Sequence, residues 1–370
     1  MISKVHLTAF RNFEDKVFSF SPKITIIVGP NAIGKTNLLE SIYLLSVGKS
    51  FKAHLEEEMI SYSSEIGRVK GKVINEKDKT TLLEVILTRG EIGRGTTAPE
   101  RVPRKKLLVN GVSRRLVDFS GNLKTVLFGP WDLDLVTESP SLRRRFLDNV
   151  LSQVDKEYRR AIVAYERGLR QRNQLLYTIR EEGTSRQQLY FWDRFLIKNG
   201  DYVSSKRDEL INFINSTNAL DSNSFYLEYD KSAISEARLE QYKSEEVAAA
   251  TTLIGPHRDD FVFKQKKMAP HFKTIKSKKV EDMDLSKYGS RGEQRMSVLW
   301  LKIAELAFVE EKSGEKPTLI LDDIFSELDH NHRSIVMNTA NNQQTIISTA
   351  DPHFVEKLEN VELIELGKQG

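Results

Sequence analysis

The chain has 370 residues, 39% of them hydrophobic and 29% charged, a formal net charge of +4, and no cysteine. This balance suits a globular protein long enough for two domains. It excludes disulfides and thiolate chemistry, and no apolar run approaches the roughly 18 residues that cross a bilayer, so a reducing cytoplasm is the expected compartment.

The chain opens on a strand-like alternation with no signal-peptide core. Residues 2–9 and 17–28 predict strands, the second ending in the apolar run Ile24-Thr25-Ile26-Ile27-Val28. Gly29-Pro30-Asn31-Ala32-Ile33-Gly34-Lys35-Thr36 follows at once and fits G-x-x-x-x-G-K-[ST], the P-loop that cradles phosphates on backbone N–H groups at a helix start. Asn37 belongs to the same nucleotide-binding segment. Lys35 is placed to reach the β- and γ-phosphates and to act in catalysis, and the Thr36 hydroxyl to bind Mg²⁺, so ATP and Mg²⁺ are the expected cofactors. A helix over 35–45 carries Leu38, Leu39, Ile42 and Leu45 on one face. Short strands and turns should fill 65–128, with Asn110-Gly111 as a hairpin turn between two strand-like runs.

The pattern changes near Ser139-Pro140, a helix start with an early proline. An apolar stripe runs through Val154, Tyr158, Ala161, Tyr165 and Leu169, is interrupted at Arg172, and resumes at Leu176 and Ile179. A second stripe runs from Leu189 through Trp192, Leu196, Val203 and Leu210 to Phe213, with a turn at Gly183-Thr184-Ser185. Together they predict an antiparallel helical arm of about 100 residues, too short for a coiled-coil rod. Beyond it, Phe261-Val262-Phe263 reads as a strand and the region from 293 to about 310 as a helix. Leu319-Ile320-Leu321, Ile346-Ile347 and 361–364 read as further strands. The expected architecture is an α/β head formed from the two ends of the chain, 1–138 and 251–370, with a helical arm over 139–250 inserted between.

The strand Thr318-Leu319-Ile320-Leu321 ends in Asp322-Asp323. Asp322 is suited to complete the magnesium shell, and Asp323 to act as general base or water-orienting carboxylate. Ser326-Glu327-Leu328-Asp329 follows, and Ser290-Arg291-Gly292-Glu293-Gln294 stands one helix upstream. The order resembles the signature, Walker B and D-loop of ABC-type ATPases. In that class the signature, here Ser290 and Gly292, reaches the γ-phosphate held by the opposite subunit, which implies an ATP-dependent homodimer.

Basic residues gather in three places. Lys264, Lys266, Lys267, Lys273, Lys276, Lys278 and Lys279 share one stretch, Arg101 to Arg115 holds a second group, and Arg143-Arg144-Arg145 is the third. An ordinary solvated surface explains any one of them equally well; three in a nearly neutral chain favour a polyanion. Lys264, Lys266, Lys267, Lys273 and Lys276 are the candidate DNA contacts.

Further segments fall in the order of one family. Phe10-Arg11-Asn12, Gly48-Lys49-Ser50-Phe51, Ser139-Pro140-Ser141 with Arg144-Arg145-Phe146-Leu147-Asp148, Gly255-Pro256-His257-Arg258-Asp259-Asp260 and the run from Asp322 to Asp329 resemble the RecF family, bacterial recombination-repair ATPases related to SMC proteins. The resemblance implies a weak DNA-stimulated ATPase of replication, repair, recombination and the SOS response. It would bind duplex and gapped or junction DNA as an ATP-dependent dimer, and help RecR and RecO to load RecA. It also implies that Arg11 approaches the nucleotide, a plain surface arginine being the other reading. Trp131 departs from the acid usual in that family, and the lysine-rich stretch exceeds the usual short hairpin. The alternatives are an ABC-type ATPase subunit driving a membrane transporter or a defence-system partner. The transporter reading lacks its switch histidine, since Thr349 and Asp351 stand there instead.

Overall fold

A computed structural model of the chain describes residues 1–75, 78–92, 100–217, 220, 224–268, 280–351 and 361–367. They form two compact units, one from Met1–Pro130 with Val309–Gly370, the other from Trp131–Phe308.

The first unit begins with β1 (Ile2–Phe10) and β2 (Phe13–Ser19), an antiparallel hairpin that turns on Arg11-Asn12 with Arg11 at φ 52°. The expected strand over 17–28 is two strands. The chain leaves the ladder at Phe20-Ser21-Pro22-Lys23, where proline has no N–H to donate, and β3 (Ile24–Val28) joins a different sheet. Helix α1 (Lys35–Val47) follows the P-loop and stops at Gly48, φ 71°. Next come β4 (Ile66–Ile74), β5 (Thr80–Thr88), a two-residue pair β6 (Glu91–Ile92) and β7 (Glu100–Arg101), then β8 (Lys105–Val109) and β9 (Val112–Arg114). The Asn110-Gly111 turn has positive φ at both positions, 50° and 77°, as the primed hairpin turn requires. The strands order as β2-β1-β4-β5-β8-β9, all antiparallel. A short α2 (Leu116–Phe119) leads into β10 (Thr125–Phe128).

The second unit is organised on two long helices. After α3 (Asp134–Thr137) and α4 (Pro140–Val154), α5 (Lys156–Glu182) and α6 (Leu189–Ser216) form the arm, with Gly183 closing α5 at φ 67°. Tyr165 and Leu196 pack with Ile234, Leu239 and Ile254, while Leu176, Ile179 and Leu189 make a second cluster. Arg172, read as a polar break in the stripe, is 1% exposed. It pairs with Asp193 at 2.7 Å and Glu246 at 2.7 Å and donates to the Thr252 hydroxyl, so the break is a buried ion cluster. Strand β11 (Ser224–Asp230), α7 (Glu236–Gln241) and α8 (Lys243–Ala249) lead to β12 (Asp260–Met268), β13 (Val280–Asp284), α9 (Leu285–Tyr288) and α10 (Arg291–Ser313). Because β12 pairs with β11 along seven register positions, the segment after residue 250 groups with the arm up to Phe308.

Two sequence motifs meet in this unit. Arg143 forms a two-pronged pair with Asp260 at 2.6 and 2.9 Å. Arg207, 1% exposed, joins Asp148 at 2.8 Å and Asp259 at 2.9 Å and donates to the Pro256 carbonyl. Asp259, fully buried, also accepts from the Tyr229 hydroxyl and the Ser232 amide. Full hydrogen bonding on both sides is what makes such buried charge tolerable.

The last stretch of chain returns to the first unit with β14 (Thr318–Asp322), α11 (His330–Ala340), β15 (Thr345–Thr349) and β16 (Glu362–Glu365). With β3 and β10 they build a parallel sheet of order β10-β14-β15-β3-β16. Every residue of β14 and β15 is buried, as parallel strands require. The Gln344 amide ties the two chain ends together: it accepts from the Ile2 amide at 2.8 Å and donates to the Ile2 and Ser21 carbonyls at 2.6 and 2.9 Å.

Candidate nucleotide site

Ligands of open parallel sheets bind beyond the carboxyl ends of the strands. There β3 runs into Gly29–Gly34, and β14, two places away in the sheet, ends at Asp322. Ala32 and Gly34 hold positive φ, 65° and 114°, which bends the loop back over the start of α1. A Cβ at Gly34 would lie 2.6 Å from the Asn12 amide, so glycine is required there twice over. The Lys35 ammonium, 7% exposed, curls into the loop and donates to the carbonyls of Gly29 at 2.7 Å and Pro30 at 3.1 Å. Asp322, 3% exposed, accepts from the Ser348 hydroxyl, and the Thr36 hydroxyl reaches the same carboxylate. Burial pushes the Asp322 carboxyl above its ordinary range, and Asp323 adds to this, while the Ser348 and Thr36 hydrogen bonds and Lys35 oppose it. A hydroxyl and a buried carboxylate converging beside an ammonium is the hard-oxygen donor pair that suits Mg²⁺, with phosphate and water completing its shell.

Asp323 has φ 51°, a strained conformation for a residue with a side chain, and its amide donates to the Ser348 carbonyl and hydroxyl, both at 3.2 Å. Asn12 donates to the Ile33 carbonyl at 2.8 Å and accepts from Asn37 at 2.8 Å, which splints the P-loop to the β1–β2 turn. Arg11 makes a two-pronged pair with the fully buried Glu40 of α1, at 2.8 and 2.7 Å, and donates to the Glu58 carbonyl. Ser50 also donates to Glu40 and accepts from the amides of Lys52 and Ala53, which accounts for Gly48-Lys49-Ser50-Phe51. An open cleft of about 520 Å³ lies here, lined among others by Arg11, Asn12, Asn37, Lys52, Tyr62 and Arg89. Glu40 and Tyr62 escaped sequence reasoning. Glu40 follows Lys35 by five residues in a helix whose other face is apolar, and that was its only signal.

Ser290 and Gly292 lie in the second unit, where they are described by themselves. Ser290 caps α10: its amide and hydroxyl both donate to the Glu293 carboxylate at 2.9 Å, and the Glu293 amide donates to the Ser290 hydroxyl at 3.3 Å. This capping box leaves Gly292 in open space, with the Ser290 hydroxyl as the nearest atom to a Cβ there, at 4.0 Å.

The model of the RecF/RecN/SMC N-terminal domain family matches residues 1–370. The DNA replication and repair protein RecF of Herpetosiphon aurantiacus is 33% identical over 397 aligned positions, covering 96% of this chain and 96% of the relative. The chain belongs to the RecF family. A solved structure of the recombination mediator protein RecF with ATP, from the RecFOR pathway, superposes with a TM-score of 0.82 at 28% identity, covering 99% of this chain and 95% of the other. A second, with the analogue ATPrS, gives 0.80 at 28%, covering 95% and 92%. The fold is therefore the ABC-type P-loop head of the RecF family, assembled from N- and C-terminal segments with an inserted helical arm.

The basic clusters fare unequally in this RecF-family chain. Arg143 is buried on Asp260, and Arg101, Arg104 and Lys105 face Glu91, Glu57 and Glu56. Lys264 sits 3.2 Å from Glu228, and Lys266 lies 5.4 Å from the centre of the Tyr226 ring. Of Lys267 only the backbone is described; Lys273, Lys276, Lys278 and Lys279 lie outside the described residues. Among the described residues no helix is long and apolar enough to cross a membrane.

Proposed function

We propose that the chain is a DNA-repair and recombination ATPase that uses ATP to join two copies on DNA. The observation that carries this reading is the meeting of Thr36 and Asp322 beside the Lys35 ammonium at the carboxyl edge of the parallel sheet. The loop from Gly29 to Gly34 and the first residues of α1, Asn37 included, hold the triphosphate on backbone N–H groups. Lys35 exchanges its two carbonyl partners for phosphate oxygens, which makes its hydrogen bonds charge-assisted on both sides. Thr36 and Asp322 hold Mg²⁺, whose charge would draw Asp322 into its ionised form and offset the phosphate charge. Asp323, with Lys35 the catalytic pair, orients or deprotonates the attacking water. Arg11, braced by Glu40, lines the cleft next to the P-loop and sets the field there rather than acting as a free surface cation.

Ser290 and Gly292 complete the site of a second copy, so the γ-phosphate becomes part of a subunit interface. For this the Ser290 hydroxyl must turn from Glu293 to phosphate, an exchange of one anionic acceptor for another. Hydrolysis removes the bridging group and releases the pair. The relatives' names support replication and repair as the setting, and the RecFOR pathway of the solved relatives supports RecR and RecO as partners, with the loading of RecA as the proposed outcome. Duplex or gapped DNA is the proposed polyanion, with Lys264, Lys266, Lys267, Lys273 and Lys276 among its contacts, and slow DNA-stimulated hydrolysis in the cytoplasm is the proposed activity.

The test is sedimentation of wild-type and Asp323→Asn proteins with Mg-ATP, with and without gapped duplex. Wild type should dimerise transiently, and the variant persistently, with hydrolysis suppressed. A variant that stays monomeric under conditions in which it binds ATP would remove the shared-site mechanism.

A further inference from the structure

The region where Arg144 meets the Gly255–Asp260 turn carries charge that the nucleotide site does not use. Gly255 is at φ 121°, and a Cβ there would collide with the Tyr165 hydroxyl, so this turn is held tightly against α5. His257 Nε2 lies 3.0 Å from the Thr252 carbonyl, which can only accept, so Nε2 carries the proton. Nδ1 then accepts from the Tyr165 hydroxyl at 2.8 Å. Arg258, exposed, grips the same Thr252 carbonyl at 3.5 Å, and Arg144 donates to the Asp259 carbonyl at 2.8 Å. Arg144 is thus anchored from behind by a backbone oxygen, and Arg258 touches one at the outer limit of hydrogen-bonding distance.

The nearby acids are already committed. Asp260 is taken by Arg143, Asp148 by Arg207 and Tyr158, and Asp259 by Arg207, Tyr229 and the Ser232 amide. Around this turn, among the described residues, Arg143, Arg144, Arg207 and Arg258 face Asp148, Asp259 and Asp260, and the uncompensated charge falls on the solvent side, where the exposed Arg145 adds to it. The arginines also make themselves felt locally: with burial, the charges of Arg258, Arg144 and Arg172 pull the His257 ring down to about 4, which keeps it neutral.

We propose that Arg144 and Arg258, presented by the Gly255–Asp260 turn, form a binding site for a phosphodiester group of nucleic acid. The inference rests on the DNA reading above and extends it to residues outside the lysine-rich stretch. A guanidinium offers a planar fork to phosphate, and the Arg144 fork, held by the Asp259 carbonyl, loses little freedom on binding. The carboxylates that could compete as internal anions are occupied, so phosphate is the group that completes the pair. The contact is sequence-independent and salt-sensitive.

The experiment is a salt titration of binding to a short blunt duplex, from about 50 to 200 mM monovalent salt, for wild type, Arg258→Gln and Arg144→Gln/Arg258→Gln, all with Mg-ATP. One lost phosphate contact should flatten the log–log salt slope by about 0.9, the change expected for the double variant, with a smaller change for the single variant. ATP affinity and thermal melting should be unchanged for Arg258→Gln, whose side chain is exposed. A parallel ³¹P titration with inorganic phosphate separates the sources: loss of phosphate binding with an unchanged duplex slope would assign the pair to a free anion and overturn the proposal. Unchanged slope and affinity in both variants, beside a wild type that does bind duplex, would overturn it alone. A wild type that binds no duplex would bring down the DNA reading and this inference together.

Discussion

The two units bury charge in opposite ways. In the first, Lys35 is buried among backbone carbonyls, and Asp322 is buried with hydroxyls for hydrogen-bond partners. In the second, Arg172, Arg207 and Lys302 are each locked to two carboxylates, Lys302 lying 3.1 Å from both Asp132 and Glu305. An ion pair satisfied inside the fold is architecture, since nothing remains for a ligand to satisfy. A buried charge whose hydrogen bonds all go to neutral dipoles is poised for an external counter-charge, and costs stability until that arrives. The Arg11–Glu40 pair shows both uses within the first unit: it is satisfied, and it braces the helix that carries Lys35.

If the second unit's pairs are architecture, breaking one should unfold that unit and leave the nucleotide site alone. Arg207→Met strands Asp259 and Asp148, so a loss of about 3–5 kcal/mol is expected. Trp131, Trp192 and Trp300 are the chain's three tryptophans and all lie in this unit, so indole fluorescence in a urea titration reads it selectively. A shift under 1 kcal/mol would mean that the network is dispensable.

A gentler break of the same network uses pH. His257 titrates near 4 when folded and near 6.5 when unfolded, so the unfolded chain takes up the proton first on acidification. Its contribution is fully present above pH 6.5 and is lost as pH falls toward 4, up to about 3 kcal/mol. His257→Gln should flatten the fluorescence-detected stability profile across that window. A variant profile parallel to wild type would show that other groups set the slope.

The complementary prediction concerns Lys35→Ala. It removes a buried cation that no carboxylate pairs directly, and only its attraction to Asp322 and two carbonyl contacts go with it, so the apo protein should lose little stability, while ATP affinity falls by about 2–3 kcal/mol, roughly 30- to 150-fold. Equilibrium titration with a fluorescent ATP analogue, beside thermal melting, separates the two effects. A variant that melts far below wild type would make Lys35 a structural residue of the loop, and the contrast between the units would fail.

How much of this could be read in the sequence follows the same division. The P-loop, the acids after β14 and the signature order are local patterns whose meaning is carried by spacing, and the structure sets Lys35, Thr36 and Asp322 together as that spacing implies. The long-range pairs left no such trace. Arg172 looked like a surface break because its partners Asp193 and Glu246 lie 21 and 74 residues away. Arg143 looked like one of three surface arginines, although its partner is 117 residues on. The break at Pro22, which divides β2 from β3, was hidden because apolar residues continue on both sides of it. Asn12 and Glu40 act on the P-loop through contacts that cross 21 to 29 residues, and no single-chain pattern shows that.

The smallest expected effect tests the strain at Asp323. With φ 51°, this residue is held in the left-handed region by the turn after β14, and an L side chain there costs about 1–2 kcal/mol. Asp323→Ala and Asp323→Gly remove the same carboxylate, so both should abolish ATP turnover. They differ in the backbone: glycine accepts the left-handed conformation, whereas alanine does not. The glycine variant should therefore hold the first unit about 1 kcal/mol more stable than the alanine variant, seen as greater hydrogen-exchange protection of the Leu321 and Ile347 amides in β14 and β15. Equal protection would show that the backbone relaxes once the carboxylate is gone. The strain would then belong to the side chain's own contacts, and the turn would not be the element that aims Asp323.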